Sequence, residues 1–351
     1  DDQYPRMNPG QNLLPTAAGV AFKDDLYRCF KPETPWMLME SCPDSPQWCS
    51  PMKLKRPGVH RAEMLQAIGH GAEGTLYFQW RKGRGAHEKL HGAVVDHVGH
   101  EHTRVFRTVA ELGQLYTQMS GVIGTKVESQ AAVIYDWENK WAFEATSGTP
   151  REPELLLRTA QFHHQALWEQ GISVDVLAMD RDFSNYKLLI APMLWMIKPG
   201  VADRMREFVE GGGFLVGTYY LGSVDETNRV WTGGLPGDGL KELFGVWNEE
   251  TDQMFSGEHS TIRAVSGNPI GIEGTMTVLE NRALLHLHGA QAVALYTDEF
   301  YANTPAITLN QAGAGHALYV GAELNFEGLR DLYRRLASLV GLRPVVDADF
   351  P

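Results

Sequence analysis

The chain has 351 residues, 43% hydrophobic and 21% charged, which suits a globular protein with room for two domains or one large one. A formal net charge of −12 argues against nucleic acid as a partner, because phosphate binding draws on clustered Lys and Arg. Neutral sugars and other uncharged ligands stay open. Cys29, Cys42 and Cys49 are too few for a disulfide framework, and no CxxC pair suggests structural zinc; a reducing, cytoplasmic compartment fits best. No apolar run approaches the length of a membrane span, and the first residues lack the basic start and apolar stretch of a signal peptide. The opening Asp1-Asp2-Gln3-Tyr4-Pro5 carries no initiator Met and reads as the interior of a longer protein.

In chain order, Pro35-Trp36-Met37-Leu38-Met39 predicts a buried strand ending at Glu40 and broken by Ser41-Cys42-Pro43-Asp44-Ser45-Pro46. Met64, Leu65 and Ile68 share one face of a helix predicted from His60 to His70. Thr75-Leu76-Tyr77-Phe78-Gln79-Trp80 is a second strand. After a loop rich in Gly, His and charge, Val105, Val109, Leu112, Leu115 and Tyr116 mark a helix from about Thr103 to Ser120. Strand, loop, helix, twice over, is the grammar of a parallel α/β fold, with the informative polar residues at the C-terminal ends of the strands. A complete (β/α)8 barrel takes roughly 250 residues, so two or three of its eight units are present before about residue 125, and alone they expose unpaired strand edges.

The second half, residues 126–351, opens with the strand Ala131–Trp137 and a helix from about Glu152 to Gln170. The strands Ser173–Met179 and Lys187–Met193, the helix Val201–Glu210, and the strand Phe214–Tyr219 follow. Beyond an irregular, β-leaning stretch from Val224 to about Gly315, the strand Ala317–Ala322 and the helix Gly328–Val340 close the chain. This alternation predicts a doubly wound α/β domain.

Three places could carry chemistry. Glu40, at the end of an apolar strand, could attack an anomeric carbon as a retaining glycosidase nucleophile, or could cap a segment or pair with an Arg. Trp48 suits a sugar-stacking platform, although most tryptophans are core residues. Glu88 and His91, three apart, would share a helical face and bind vicinal hydroxyls together, with a Glu88 salt bridge as the alternative.

Trp36-Met37-Leu38-Met39-Glu40-Ser41, Trp48 and Lys55-Arg56-Pro57-Gly58 resemble the nucleophile region of family 42 β-galactosidases. So do His70-Gly71-Ala72-Glu73-Gly74, Tyr77-Phe78-Gln79-Trp80-Arg81 and Glu88-Lys89-Leu90-His91-Gly92-Ala93-Val94-Val95. Asp136-Trp137-Glu138-Asn139 and Gly217–Glu226 are similar to that family's middle domain. The resemblance implies the C-terminal part of a (β/α)8 barrel over residues 1–125, then a doubly wound, glutamine-amidotransferase-like trimerisation domain. It implies Glu40 as nucleophile, Trp48 lining the galactose subsite, Glu88 and His91 on sugar hydroxyls, and Tyr4 facing the site. It also implies a β-D-galactosyl substrate, double displacement with retention, and a homotrimer.

Two departures accompany it. The family's acid/base Glu follows an Asn on an earlier barrel strand not found here, so the chain is expected to need an upstream barrel segment for activity. Asn139 and Asn248 stand near acidic residues but in or beside the second domain. The cysteine cluster that binds zinc in some members would also lie upstream, and no cofactor is called for. Glutaminase chemistry needs a Cys at a strand-to-helix turn, and none occurs beyond residue 49. Asp96, His97, His100 and His102 could bind a transition metal or form a solvated loop. The alternative to an enzyme is a non-catalytic module that binds sugar or assembles subunits.

Overall fold

The computed structural model describes residues 13–150, 152 and 154–346. The chain divides into two compact units, Asp1–Glu128 and Ser129–Pro351.

The first unit contains α1 (Leu13–Phe30), β1 (Trp36–Ser41), α2 (Val59–Gly69), β2 (Ala72–Tyr77) and α3 (Arg104–Gln118). The sequence reading missed α1. Its buried residues, Ala18, Val20, Ala21, Phe22, Asp24, Asp25, Leu26 and Cys29, run round much of the helix, which blurs the one-sided period that betrays a surface helix. Pro15 is tolerated in its first turn, and Pro32 disfavours helical geometry just beyond its end. At α3, the Thr103 hydroxyl caps the helix by accepting from Phe106 N at 3.2 Å.

β1 and β2 pair in parallel, Ser41 against Tyr77. The expectation of a buried first strand needs correction. Met37, Met39 and Glu40 are exposed, Met39 by 68%, because a two-stranded sheet covers little of either strand. The second strand lies nearer the N-terminus than expected. Gln79 and Trp80 leave the β1 ladder and pair instead with Val94 and Val95: Val94 N donates to Gln79 O at 3.0 Å and Val95 N to Trp80 O at 2.7 Å.

The second unit runs β3 (Ala131–Ile134), α4 (Trp137–Glu144), α5 (Leu155–Trp168), β4 (Val174–Leu177), β5 (Leu188–Ala191), α6 (Val201–Glu210) and β6 (Phe214–Thr218). Then come α7 (Leu240–Phe244), β7 (Val246–Gln253), β8 (Ser260–Ala264), β9 (Thr275–Leu287), β10 (Gln291–Tyr296), β11 (Pro305–Ala312), β12 (Gly315–Val320), β13 (Ala322–Leu324) and α8 (Phe326–Leu339). Helix α4 was not expected, and five strands occupy the stretch read only as irregular and β-leaning.

All the strands of this unit join one 11-stranded sheet. Its parallel part has the order β4-β3-β5-β6-β12. Every residue of β3, β5 and β6 is buried, the pattern of parallel strands covered on both faces. From β12 the sheet continues antiparallel through β11, β10, β8 and β9, with β13 and β7 both on β9. At Gly217 in β6, a Cβ would stand 2.5 Å from Leu221 Cδ2 and 2.7 Å from Phe244 Cζ, so the helix side packs directly on bare backbone.

Buried charge concentrates in the first unit. Asp25 accepts from Arg28 Nη2 at 2.7 Å and from His70 Nδ1 at 2.8 Å. Burial works against the imidazolium of His70, but Asp25 outweighs it and His70 titrates above its ordinary range. Neighbouring Asp24 is pushed up to about 7, chiefly by burial, with His70 opposing and Asp25 and Glu63 reinforcing the shift.

A carboxyl raised this way binds its proton more tightly in the folded state. Its contribution to stability is therefore full below about pH 4 and is lost as pH rises through about 7. Asp24→Asn is expected to flatten that part of the pH–stability curve and to be more stable than wild type above it. Urea unfolding from about pH 4 to about pH 8 checks this; parallel curves for the two proteins would count against it.

Candidate active site

The end of β1 is irregular where the first candidate lies. Leu38 pairs with Thr75 and Ser41 with Tyr77, so three steps along β1 match two along β2. Met39 and Glu40 fall in this bulge, and both are exposed. Bulges of this kind re-aim side chains. Beyond it, Phe78 N donates to Ser41 O at 3.0 Å and the Ser41 hydroxyl donates to Leu76 O at 3.0 Å.

Two loops leave these neighbouring strand ends and are knit together. Gly92 N donates to Ser45 O at 2.9 Å, and Cys42 Sγ lies 3.8 Å from His91 Nδ1. Arg104 at the start of α3 donates to Asp44 Oδ1 at 3.3 Å, tying the first loop to the helix. A Cβ on Gly92 would meet Cys42 Sγ at 2.7 Å, Ser45 N at 2.9 Å and Asp44 Cβ at 3.1 Å. Only the missing side chain lets the loops approach.

His91 is 4% exposed, and its Nδ1 lies 2.9 Å from Gly92 O. A carbonyl oxygen only accepts, so Nδ1 carries the hydrogen, and in the neutral ring Nε2 is left as an acceptor. The Phe78 ring packs edge-on against His91 with centroids 5.1 Å apart. Phe78 was not singled out as a site residue from the sequence, where it stood only within the second predicted strand and a family motif.

Glu88 lies in the short 3-10 turn His87–Leu90 of the same loop, where Glu88 O accepts from His91 N at 3.0 Å. The expected shared face is not formed as such. The chain turns extended at His91, which is buried, while Glu88 stays exposed. Trp48 is 43% exposed, in the loop whose Ser45 carbonyl holds Gly92. Trp80, likewise not named as a site residue from the sequence, is 66% exposed just past the end of β2. Tyr4 lies outside the described residues.

Elsewhere the candidate constellations are otherwise engaged. Asp96 is held below the usual carboxylate range by Lys82, 2.5 Å away, against a desolvation that works the other way. His97 Nε2 lies 2.9 Å from Gly83 O. Among the described residues no group of three or more His, Cys, Asp or Glu is gathered to hold a metal.

In the second unit the switch in strand order falls between β3 and β5, where doubly wound sheets hold ligands. That crevice is closed by the chain itself: Asn139 Nδ2 donates to Met193 O at 3.1 Å and its Oδ1 accepts from Met196 N at 2.9 Å. The turn after β6 presents Tyr220, whose hydroxyl donates to Asn281 Oδ1 at 3.0 Å, where a glutaminase would need a thiol.

Comparison with known proteins covers the whole chain. A family model described as β-galactosidase matches residues 1–119, and one described as β-galactosidase trimerisation domain matches residues 129–343. The β-galactosidase BglY of Alicyclobacillus acidocaldarius is 44% identical over 350 residues, covering 100% of this chain and 51% of that protein. The β-galactosidase Pbg of Clostridium perfringens is 43% identical, with 100% and 51% covered. The solved β-galactosidase from Rahnella sp. R3 superposes with a TM-score of 0.96 at 42% identity, over 100% of this chain and 51% of that one. The chain thus spans about half the length of the curated relatives it matches.

Gly92→Ala is expected to force the two loops apart and to cost about 1–3 kcal/mol, the usual range for an overpacked site. Chemical denaturation of the variant beside wild type reads this directly. No loss of stability would mean that the close approach at Gly92 is slack.

Proposed function

Since the chain belongs to the family 42 β-galactosidases, we propose that it is the rear part of a retaining β-galactosidase, in which Glu40 is the nucleophile. The fold agrees with the C-terminal portion of a (β/α)8 barrel followed by a second α/β domain. The observation that carries the reading is the knit of the two loops. Trp48, Glu88 and His91 all belong to segments joined at the C-terminal ends of two adjacent parallel strands, and the bulge at Glu40 lies on one of them. That end of parallel barrel strands is where barrel enzymes work.

The proposed chemistry follows from the groups present. A Glu40 oxygen forms a bond to the anomeric carbon as the glycosidic C–O bond breaks, and the bonding pair leaves with the aglycone oxygen. A protonated carboxyl about 5 Å away gives that oxygen its proton, then takes one from the water that cleaves the glycosyl ester. Two inversions at one carbon leave its configuration unchanged.

We assign the proton donor to an upstream barrel segment, supported by the half-length match to the relatives. General acid help is typically worth about 10²- to 10⁴-fold, so the chain by itself is proposed to be inactive. His91 Nε2 suits a sugar hydroxyl hydrogen, the exposed Glu88 carboxylate suits another, and the Trp48 indole suits the apolar C–H face of a pyranose. Tyr4 is proposed to face the same pocket. No helix among the described residues is long and apolar enough to cross a membrane. A cytoplasmic homotrimer assembled through the second domain completes the proposal.

In the full-length protein, Glu40→Gln is expected to lower kcat on a nitrophenyl β-galactoside by more than about 10³-fold with little change in thermal stability. Wild-type turnover in that variant would end the nucleophile assignment. Trp48→Ala is expected to weaken galactose binding about tenfold by calorimetry, in keeping with the loss of one aromatic contact; unchanged affinity would remove Trp48 from the subsite.

A further inference from the structure

Beneath the bulged end of β1 lies a buried chain of charged and polar groups that the proposed chemistry does not use. Lys55 Nζ donates to Cys42 O at 2.6 Å and to Glu63 Oε2 at 2.7 Å, and the Lys55 and Glu63 side chains are each 1% exposed. His60 Nδ1 lies 3.3 Å from the same Glu63 oxygen, and His60 Nε2 lies 3.2 Å from the hydroxyl of Tyr77. Tyr77 is the ladder partner of Ser41. The chain therefore starts at the carbonyl two residues past Glu40, passes through α2, and returns to the end of β2.

The placement matters because the regular ladder has lapsed there. Across the bulge, Met39 and Glu40 lack the even pairing that would fix their direction, and Ser41 is the last paired position. Cys42 O, just beyond, is held instead by the buried ammonium of Lys55. Such a charge-assisted bond is stronger and more directional than a neutral one.

As a source of stability alone the arrangement is poorly chosen. Two well-packed apolar side chains of similar volume usually serve as well as a buried ion pair. What apolar side chains cannot do is hold a carbonyl oxygen at one point.

We propose that Lys55 is a positioning residue. Holding Cys42 O, it sets where β1 ends and so the direction from which the Glu40 carboxylate meets an anomeric carbon. This rests on the reading of Glu40 as nucleophile.

The test uses full-length protein and dinitrophenyl 2-deoxy-2-fluoro-β-D-galactoside. In labelling, a carboxylate oxygen bonds to C1 while the C1–O bond to dinitrophenolate breaks; the pair departs on the phenolate, and no proton is needed. Peptide mass spectrometry identifies the labelled residue in wild type, and a label away from Glu40 overturns both the nucleophile reading and the proposal. Lys55→Met alone takes the ammonium away from the buried Glu63 carboxylate and can unfold the chain, so the paired Lys55→Met/Glu63→Leu variant is measured beside it. The expected result is a paired variant that melts near wild type and binds the probe with unchanged affinity, yet is labelled at Glu40 about 10²-fold more slowly. Wild-type labelling rates at Glu40 in that variant overturn the proposal alone. If neither variant folds, Lys55 serves folding and the proposal likewise falls.

Discussion

Two parallel strands ending side by side impose a demand that much of the first unit answers. Past Ser41 and Phe78 the ladder supplies no more partners, yet the chain is buried from Ser41 to Pro46 and again from His91 to Val95. Buried backbone amides and carbonyls must find partners. They find them across the gap: Ser45 O with Gly92 N, Gln79 O with Val94 N, and Cys42 O with the Lys55 ammonium. The candidate site is the upper surface of that arrangement. Hydrogen bonds between the loops, as well as the two strands, hold it in place.

The two units meet the cost of burial differently. In the second, β3, β5 and β6 are buried throughout and carry one polar side chain, Thr218, whose hydroxyl accepts from Met193 N at 2.8 Å, while Arg282 is fully buried and donates to Tyr301 Oη at 3.0 Å. In the first, Asp24, Asp25, Lys55, His60, Glu63 and His91 are all buried. Most are engaged in charged or hydrogen-bonded contacts that offset desolvation, and Asp24 answers by taking up a proton near neutrality. A unit that holds charge inside has polar groups with fixed directions.

Read from the sequence alone, the candidate site was visible as residue types at a strand end and in two turn-rich loops, and the family motifs supplied their order. The contacts between those loops were not visible. Cys42 and His91 stand 49 positions apart, and nothing local to either marks the other as its neighbour. Phe78 read as part of a strand and turned out to brace His91. Lys55 read as one basic residue in a motif and proved to be buried against a carbonyl.

What the sequence determined was whatever a short window encodes. Short, largely apolar runs declared the strands read as Ala131–Trp137 and Phe214–Tyr219, which form as β3 over Ala131–Ile134 and β6 over Phe214–Thr218, and Thr103 marked the start of α3. Only the tertiary structure decided the rest. Helix α1 hides because its buried face is too broad for a clean period, and β7 to β11 hide because several are half exposed and are stabilised by partners far along the chain. The strand β9 pairs with β7, β8 and β13, a set of neighbours that no window around residues 275–287 contains. Local patterns record which surfaces want burial, while the choice of what buries them is made between residues distant in sequence.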